Sequence, residues 1–168
     1  NMIFGETPEM MAFFENNLGI QYPWSNYKQV CVSEFTASGM ENTTATLMYS
    51  NLQHDARARH DFTGRNLITH ELAHQWFGDL VTMRWWNDLW LNESFATYMS
   101  YLALVSATRF DSAWQTFNAG MKNWAYRQDQ LITTHPIAGE VADTDQTFLN
   151  FDGITYGKGA VVIAMFES

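Results

Sequence analysis

The chain holds a single cysteine, Cys31, among its 168 residues, so no internal disulfide can form. Cys31 falls in an alternating apolar stretch and reads as a buried strand thiol, not a redox or nucleophilic group. The absence of disulfides fits a reducing compartment, and a cytoplasmic location is the expectation that follows. Basic residues are scarce: nine Lys and Arg stand against eighteen Asp and Glu, a formal charge of −9. They form no cluster that would suit a phosphate backbone, which argues against nucleic acid as a partner. No apolar run approaches the roughly 18 residues that a membrane-spanning helix needs, and the chain does not open on a basic segment followed by an apolar one. No membrane segment is therefore expected within it. Repeats and low-complexity runs are missing too. With 46% hydrophobic residues the chain can bury a core of ordinary size for one domain.

What is present is a metal-ligand pattern. His70, Glu71 and His74 form His-Glu-x-x-His, and Glu93 follows nineteen residues after the second histidine. Residues four apart on an α-helix stand one above the other, so two imidazoles can face one ion. Glu71 lies about 100° further round the helix and reaches the open side of the metal, where it can hold a water and take its proton. Two histidines and a carboxylate leave the fourth position of a tetrahedral zinc free, the pattern of a catalytic site. Chance would place a bare His-Glu-x-x-His in roughly one chain of this length in a few hundred. Context strengthens the reading: Leu67, Ile68, Leu72, Ala73, Trp76 and Phe77 recur at helical spacing, and Gly78 stands where a helix often ends. Asn92 reads as the N-cap of a second helix, Glu93 to about Ala107.

Elsewhere, Thr7-Pro8 opens a helix that Gly19 closes, and Tyr22-Pro23 leads to a strand near Gln29 to Thr36. A second extended piece spans Ala45 to Tyr49. His54, Asp55, His60 and Asp61 are a charged loop and not a second metal site, because their spacing suits no helix face. Asp111 reads as the cap of a helix through Trp114, Phe117, Met121 and Trp124. The irregular stretch from Gln130 to Gly153 is long enough to wall a cleft, and its His135 is not read as a ligand. Trp85, Trp86 and Trp90 read mainly as core, with one or two facing a ligand.

Three stretches resemble the aminopeptidase N family of zinc metallopeptidases, whose catalytic domain is thermolysin-like. They are Gly39-Met40-Glu41-Asn42; His70 to Asp79 continuing to Trp90-Leu91-Asn92-Glu93-Ser94-Phe95-Ala96; and Tyr156-Gly157-Lys158-Gly159-Ala160. The resemblance extends over nearly the whole chain. It implies one zinc ion held by His70, His74 and Glu93, with Glu71 as general base. It also implies that Glu41 binds the free α-amino group of a peptide while the backbone of Gly39 and Met40 lies along it, and that Tyr156 donates to the oxyanion. Lys158 is read as structural. The chain departs from the commonest signature in having Ser38 and Gly39 where Gly and Ala usually stand, which bears on fine substrate preference. Peptide substrates with a free, cationic N-terminus suit the acidic balance.

The fold class expected is α+β and mainly helical, part of a thermolysin-like catalytic domain with a small antiparallel β portion near the N-terminus. Residues 1–62 would carry a helix and the β portion with the Gly-Met-Glu-Asn motif, and 63–168 the helical zinc-binding portion. Because family members are several times longer, the chain is expected to be a fragment of that one domain. The competing readings are a zinc endopeptidase or an epoxide hydrolase of the same fold, and a zinc-binding segment without turnover.

Overall fold

A computed structural model of the chain describes residues 3–55, 57–58 and 63–167. His60 and Asp61 of the charged loop lie outside the described residues. Helices dominate. In chain order they are α1 (Thr7–Leu18), α2 (Arg65–Ala73), α3 (Trp90–Ala107), α4 (Ala113–Phe117), α5 (Asn123–Asp129), α6 (Thr144–Phe148) and α7 (Gly159–Phe166), with strands β1 (Lys28–Val32), β2 (Gly39–Met40) and β3 (Ala45–Tyr49) lying between α1 and α2. None of the described helices is long and apolar enough to cross a membrane.

α1 has proline in its first turn, where a missing N–H costs nothing, and ends at Gly19 in the left-handed region (φ 67°). Its Met10 and Phe14 are buried against Ile68, Leu72 and Trp76, the inner face of the α2 segment. Arg65 fastens the two helices by pairing with Glu6 and lies over the Phe110 ring. α3, the longest helix, packs on α2 and α7 and carries Ala96, Met99, Ala103 and Leu104 into the core.

The sheet is mixed, with strand order β1-β3-β2. β2 runs antiparallel to β3, with Gly39 opposite Met48, whereas β1 runs parallel to β3, with Lys28 opposite Ala45. The antiparallel expectation thus holds for one pair only. β1 stops at Val32, short of Thr36, and Cys31 is half-buried. The central strand β3 buries Thr46 and Met48 on one face and lies next to the chain's turn at Glu41 to Thr44.

Two other expectations shift. Asn92 does not cap α3: a single-turn 3-10 segment, Trp86–Asp88, feeds the helix from upstream, and Asn92 sits buried inside it, donating to Thr82 Oγ1. Asp111 is not a cap either, since α4 starts after Ser112; a π-helical segment, Asn118–Lys122, then joins α4 to α5. The stretch after Gln130 is mostly irregular but contains α6, capped by the Asp143 carboxylate accepting from the Gln146 N–H.

Candidate active site

α2 and α3 cross where His70, His74 and Glu93 meet. His74 Nε2 lies 3.1 Å from His70 Nε2 and 3.2 Å from Glu93 Oε2, and His70 Nε2 lies 3.3 Å from the same carboxylate oxygen. Bond lengths of about 2.0–2.2 Å around a tetrahedral zinc place neighbouring donor atoms roughly 3.3 Å apart, so the three atoms already form one face of such a tetrahedron. Among the described residues this is the group suited to holding a metal. The donor set, two imidazoles and a carboxylate, suits a divalent transition metal, zinc among them.

The backbone after α2 fixes the second ligand. The α-helical hydrogen bonding gives way after Ala73, four residues before the apolar periodicity ends, and the bonds tighten and then widen as Asp79, Leu80 and Val81 donate to His74, Gln75 and Trp76. Gly78 at φ 139° makes this return possible, and a side chain there would crowd His74 Nδ1. The result is that the Phe77 carbonyl accepts from His74 Nδ1 at 2.9 Å, which leaves Nε2 as the free lone pair for a metal. His70 Nδ1 faces Thr97 Oγ1 at 3.5 Å. Neither partner is visible in the motif.

The charges of these groups act strongly on one another. Burial pulls the His70 imidazole below its ordinary value. Burial acts on His74 in the same sense, but Glu93, with Glu41 and Glu71, outweighs it and holds the imidazole up to about 10. Glu93 is correspondingly held well below the carboxylate range: both histidines overcome the effect of its burial. Glu71 is different. It is buried, its Oε2 has no hydrogen-bond partner among the described residues, and desolvation, against His74 and with Glu41 and Glu93, pushes it up to about 8. This leaves a carboxylate oxygen free to accept a hydrogen bond beside three atoms that could hold a metal.

Gly39 lies directly over Glu71, and a methyl group there would overlap Glu71 Oε1. β2 therefore packs its backbone on Glu71, and the next residues bring Glu41 Oε1 to 3.9 Å from His74 Nδ1. Tyr156 comes from a π-helical segment, Ile154–Lys158, that runs into α7. Its ring stacks on His70 at 5.9 Å and is flanked by Trp124 and Phe151. Burial first, then Glu93, raises its phenol far above the ordinary value, so it is a hydrogen-bond donor throughout the physiological range.

A cavity of about 620 Å³ opens over these groups, lined by Met40, Glu41, Glu71, Trp86, Phe148 and Tyr156 among others. The irregular stretch thus walls the cleft through Phe148. Of the three tryptophans, Trp86 faces it, while Trp85 is exposed and donates to the Val141 carbonyl. His135 stands off the metal group and pairs with Asp152 Oδ2 at 2.7 Å. Asp152 Oδ1 accepts the N–H groups of Ile154 and Thr155, so this pair anchors the start of the Tyr156 segment, a role that spacing did not signal. Lys158 pairs with Asp129.

Residues 3–168 match the peptidase family M1 domain. Aminopeptidase N of Streptomyces lividans is 45% identical over 166 residues, covering 96% of this chain and 19% of that protein. Tricorn protease-interacting factor F2 of Thermoplasma volcanium is 44% identical over 94% of this chain and 20% of its own length, and mouse aminopeptidase N 39% identical over 96% and 18%. The chain spans about a fifth of the length of the curated relatives it matches.

Proposed function

The chain belongs to peptidase family M1, and from that membership we propose that it carries the reaction centre of a zinc aminopeptidase, which removes single residues from peptides with a free N-terminus. The observation that carries this reading is the joint placement of a tetrahedral face of donors, an unpartnered buried carboxylate and a third carboxylate at 3.9 Å from His74. The aminopeptidase relatives support the same class.

His70, His74 and Glu93 would hold one zinc ion, which when bound supplies Lewis acidity to a water and to the scissile carbonyl. Glu71, desolvated and without a donor of its own, takes a proton from the attacking water and returns one to the leaving amine. Glu41 pairs with the substrate's ammonium group, and the Gly39–Met40 edge supports its backbone. A carboxylate held beside the metal-binding group would pair with the substrate's ammonium and limit the substrate ahead of the scissile bond to one residue, an exopeptidase cleavage. Tyr156 donates its hydroxyl proton in a hydrogen bond to the carbonyl oxygen as charge develops there.

Hydrolysis of leucine and alanine chromogenic amides, compared with their N-acetylated forms, tests this. The expected outcome is a preference of at least 100-fold in kcat/KM for the free amine, largely abolished by Glu41→Ala and with turnover lost in Glu71→Gln. Equal cleavage of acetylated and free substrates would mean an endopeptidase instead.

A further inference from the structure

Gln75 is wholly buried in the turn that ends α2, one residue after a metal ligand, and it makes three hydrogen bonds across the molecule. Its Nε2 donates to the Glu41 carbonyl at 3.1 Å, and its Oε1 accepts from the Thr44 N–H at 3.1 Å and from the Tyr22 hydroxyl at 3.5 Å. Residues 41–44 are thereby held to the metal-bearing segment by a side-chain amide. The turn that they form is not a relaxed one. Thr44 adopts φ 65°, and it is the one non-glycine described residue with positive φ. A β-branched residue in that region is strained and persists only where its surroundings impose it. Here the surroundings are identifiable: Gln75 takes the Thr44 N–H, the Thr44 carbonyl accepts from the Lys28 N–H at 2.8 Å, and the Ala45 N–H returns to the Asn42 carbonyl at 2.8 Å.

We propose that Gln75 is a positioning residue for amine recognition, fixing the Glu41 carboxylate at a set distance from the metal ligands and so defining how much substrate fits ahead of the scissile bond. The proposal rests on the aminopeptidase reading above. Gln75 does not touch substrate; it acts through the backbone of Glu41 and Thr44. Removing the amide takes the partner from a part-buried Glu41 carbonyl and Thr44 N–H and lets the strained turn relax, which should move the carboxylate more than His70, His74 or Glu93.

The test uses the protein in its full natural length, with Gln75→Met to keep the packed volume. We expect KM for leucine p-nitroanilide to rise at least tenfold, with kcat within threefold of wild type and zinc content unchanged. Gln75→Glu, which retains the acceptor for Thr44 and loses the donor to Glu41, gives a smaller rise of about threefold and serves if the first variant does not fold. In a Glu71→Gln background, calorimetry should show leucinamide binding weakened by the same factor, a readout that needs no turnover. A fall in kcat with KM unmoved, or loss of zinc in proportion to activity, overturns the proposal. If wild type itself fails to prefer a free amine, the functional reading goes and takes this one with it; if that preference stands and both Gln75 variants bind leucinamide normally, the positioning role alone is wrong.

Discussion

At the scale of single residues, the metal-free site is a set of opposed charges that a cation would rearrange. His74 is held protonated up to about pH 10 chiefly because the charge of Glu93 outweighs burial, and the nitrogen concerned is the one that a metal must take. A ligand histidine has to be neutral, so zinc must displace that proton. The sign is fixed: below about pH 10 the metal competes with a proton held more tightly than in a free imidazole, and affinity rises with pH through the neutral range. Calorimetric zinc titration at pH 7 in buffers of differing ionisation enthalpy should show at least one proton released per ion, from His74 and in part from Glu71, with the apparent affinity increasing at least tenfold from pH 6 to pH 7. Zero protons released at pH 7 would contradict a His74–Glu93 ion pair in the metal-free protein. Glu71 is shifted in the same direction as His74 but by burial and not by an opposite charge. With its carboxyl pushed up to about 8 by burial, the folded metal-free chain binds more protons than the unfolded one between the ordinary carboxylate range and pH 8, so this group lowers stability as pH rises through that window.

At the scale of elements, the Tyr156 segment depends on a close approach that only glycine permits. Ser94 of α3 donates to the Thr155 carbonyl, and a methyl group on Gly159 would overlap Ser94 Oγ. Gly159→Ala should therefore push the start of α7 off α3, lowering stability by about 1–3 kcal/mol and turnover along with it. Ser94→Gly in the same chain removes the opposing atoms but also its bond to Thr155, so the rescue expected is a double variant that melts above the sum of the two single changes. Failure of that rescue would mean that the contact is not the cause.

The same elements show where sequence reasoning reaches and where it stops. The ends of α1 carry chemical signals in Pro8 and Gly19, and β3 is bounded by turn residues, so all of these could be read directly. The meeting of His70, His74 and Glu93 was legible because helical spacing alone constrains the first two. The early end of α2, the 3-10 entry into α3 and the π segments at 118–122 and 154–158 were not. Each is a shift of one residue in hydrogen-bond partner imposed by tertiary packing, and the apolar periodicity hardly changes across it. Gln75 and the His135–Asp152 pair escaped notice for a related reason: their partners lie 34 and 17 residues away, and only folding brings them together.

At the scale of the whole molecule, surface area is the informative quantity. A compact monomer of 19.4 kDa exposes roughly 8,500 Å² by the usual scaling, whereas this chain exposes 9806 Å². The excess is not merely loops of polar residues. Ile132 is 103% exposed, Phe166 86%, Leu149 77% and Met165 71%, although large apolar side chains of this kind favour the interior. Exposed apolar groups of this size bind hydrophobic dyes and drive association, while the charge of −9 opposes it at low ionic strength. The 168-residue chain expressed by itself should therefore enhance the fluorescence of an anilinonaphthalene sulfonate dye and self-associate at tens of micromolar, more strongly as salt screens the repulsion. Replacing Ile132, Leu149 and Phe166 together by serine should cut the dye signal at least threefold and return the chain to a monomer by light scattering, while leaving zinc binding intact, because none of the three lies among the metal ligands or the lining of the cavity over them. A wild-type chain that is monomeric and dye-silent at high salt would overturn the assignment of association to Ile132, Leu149 and Phe166.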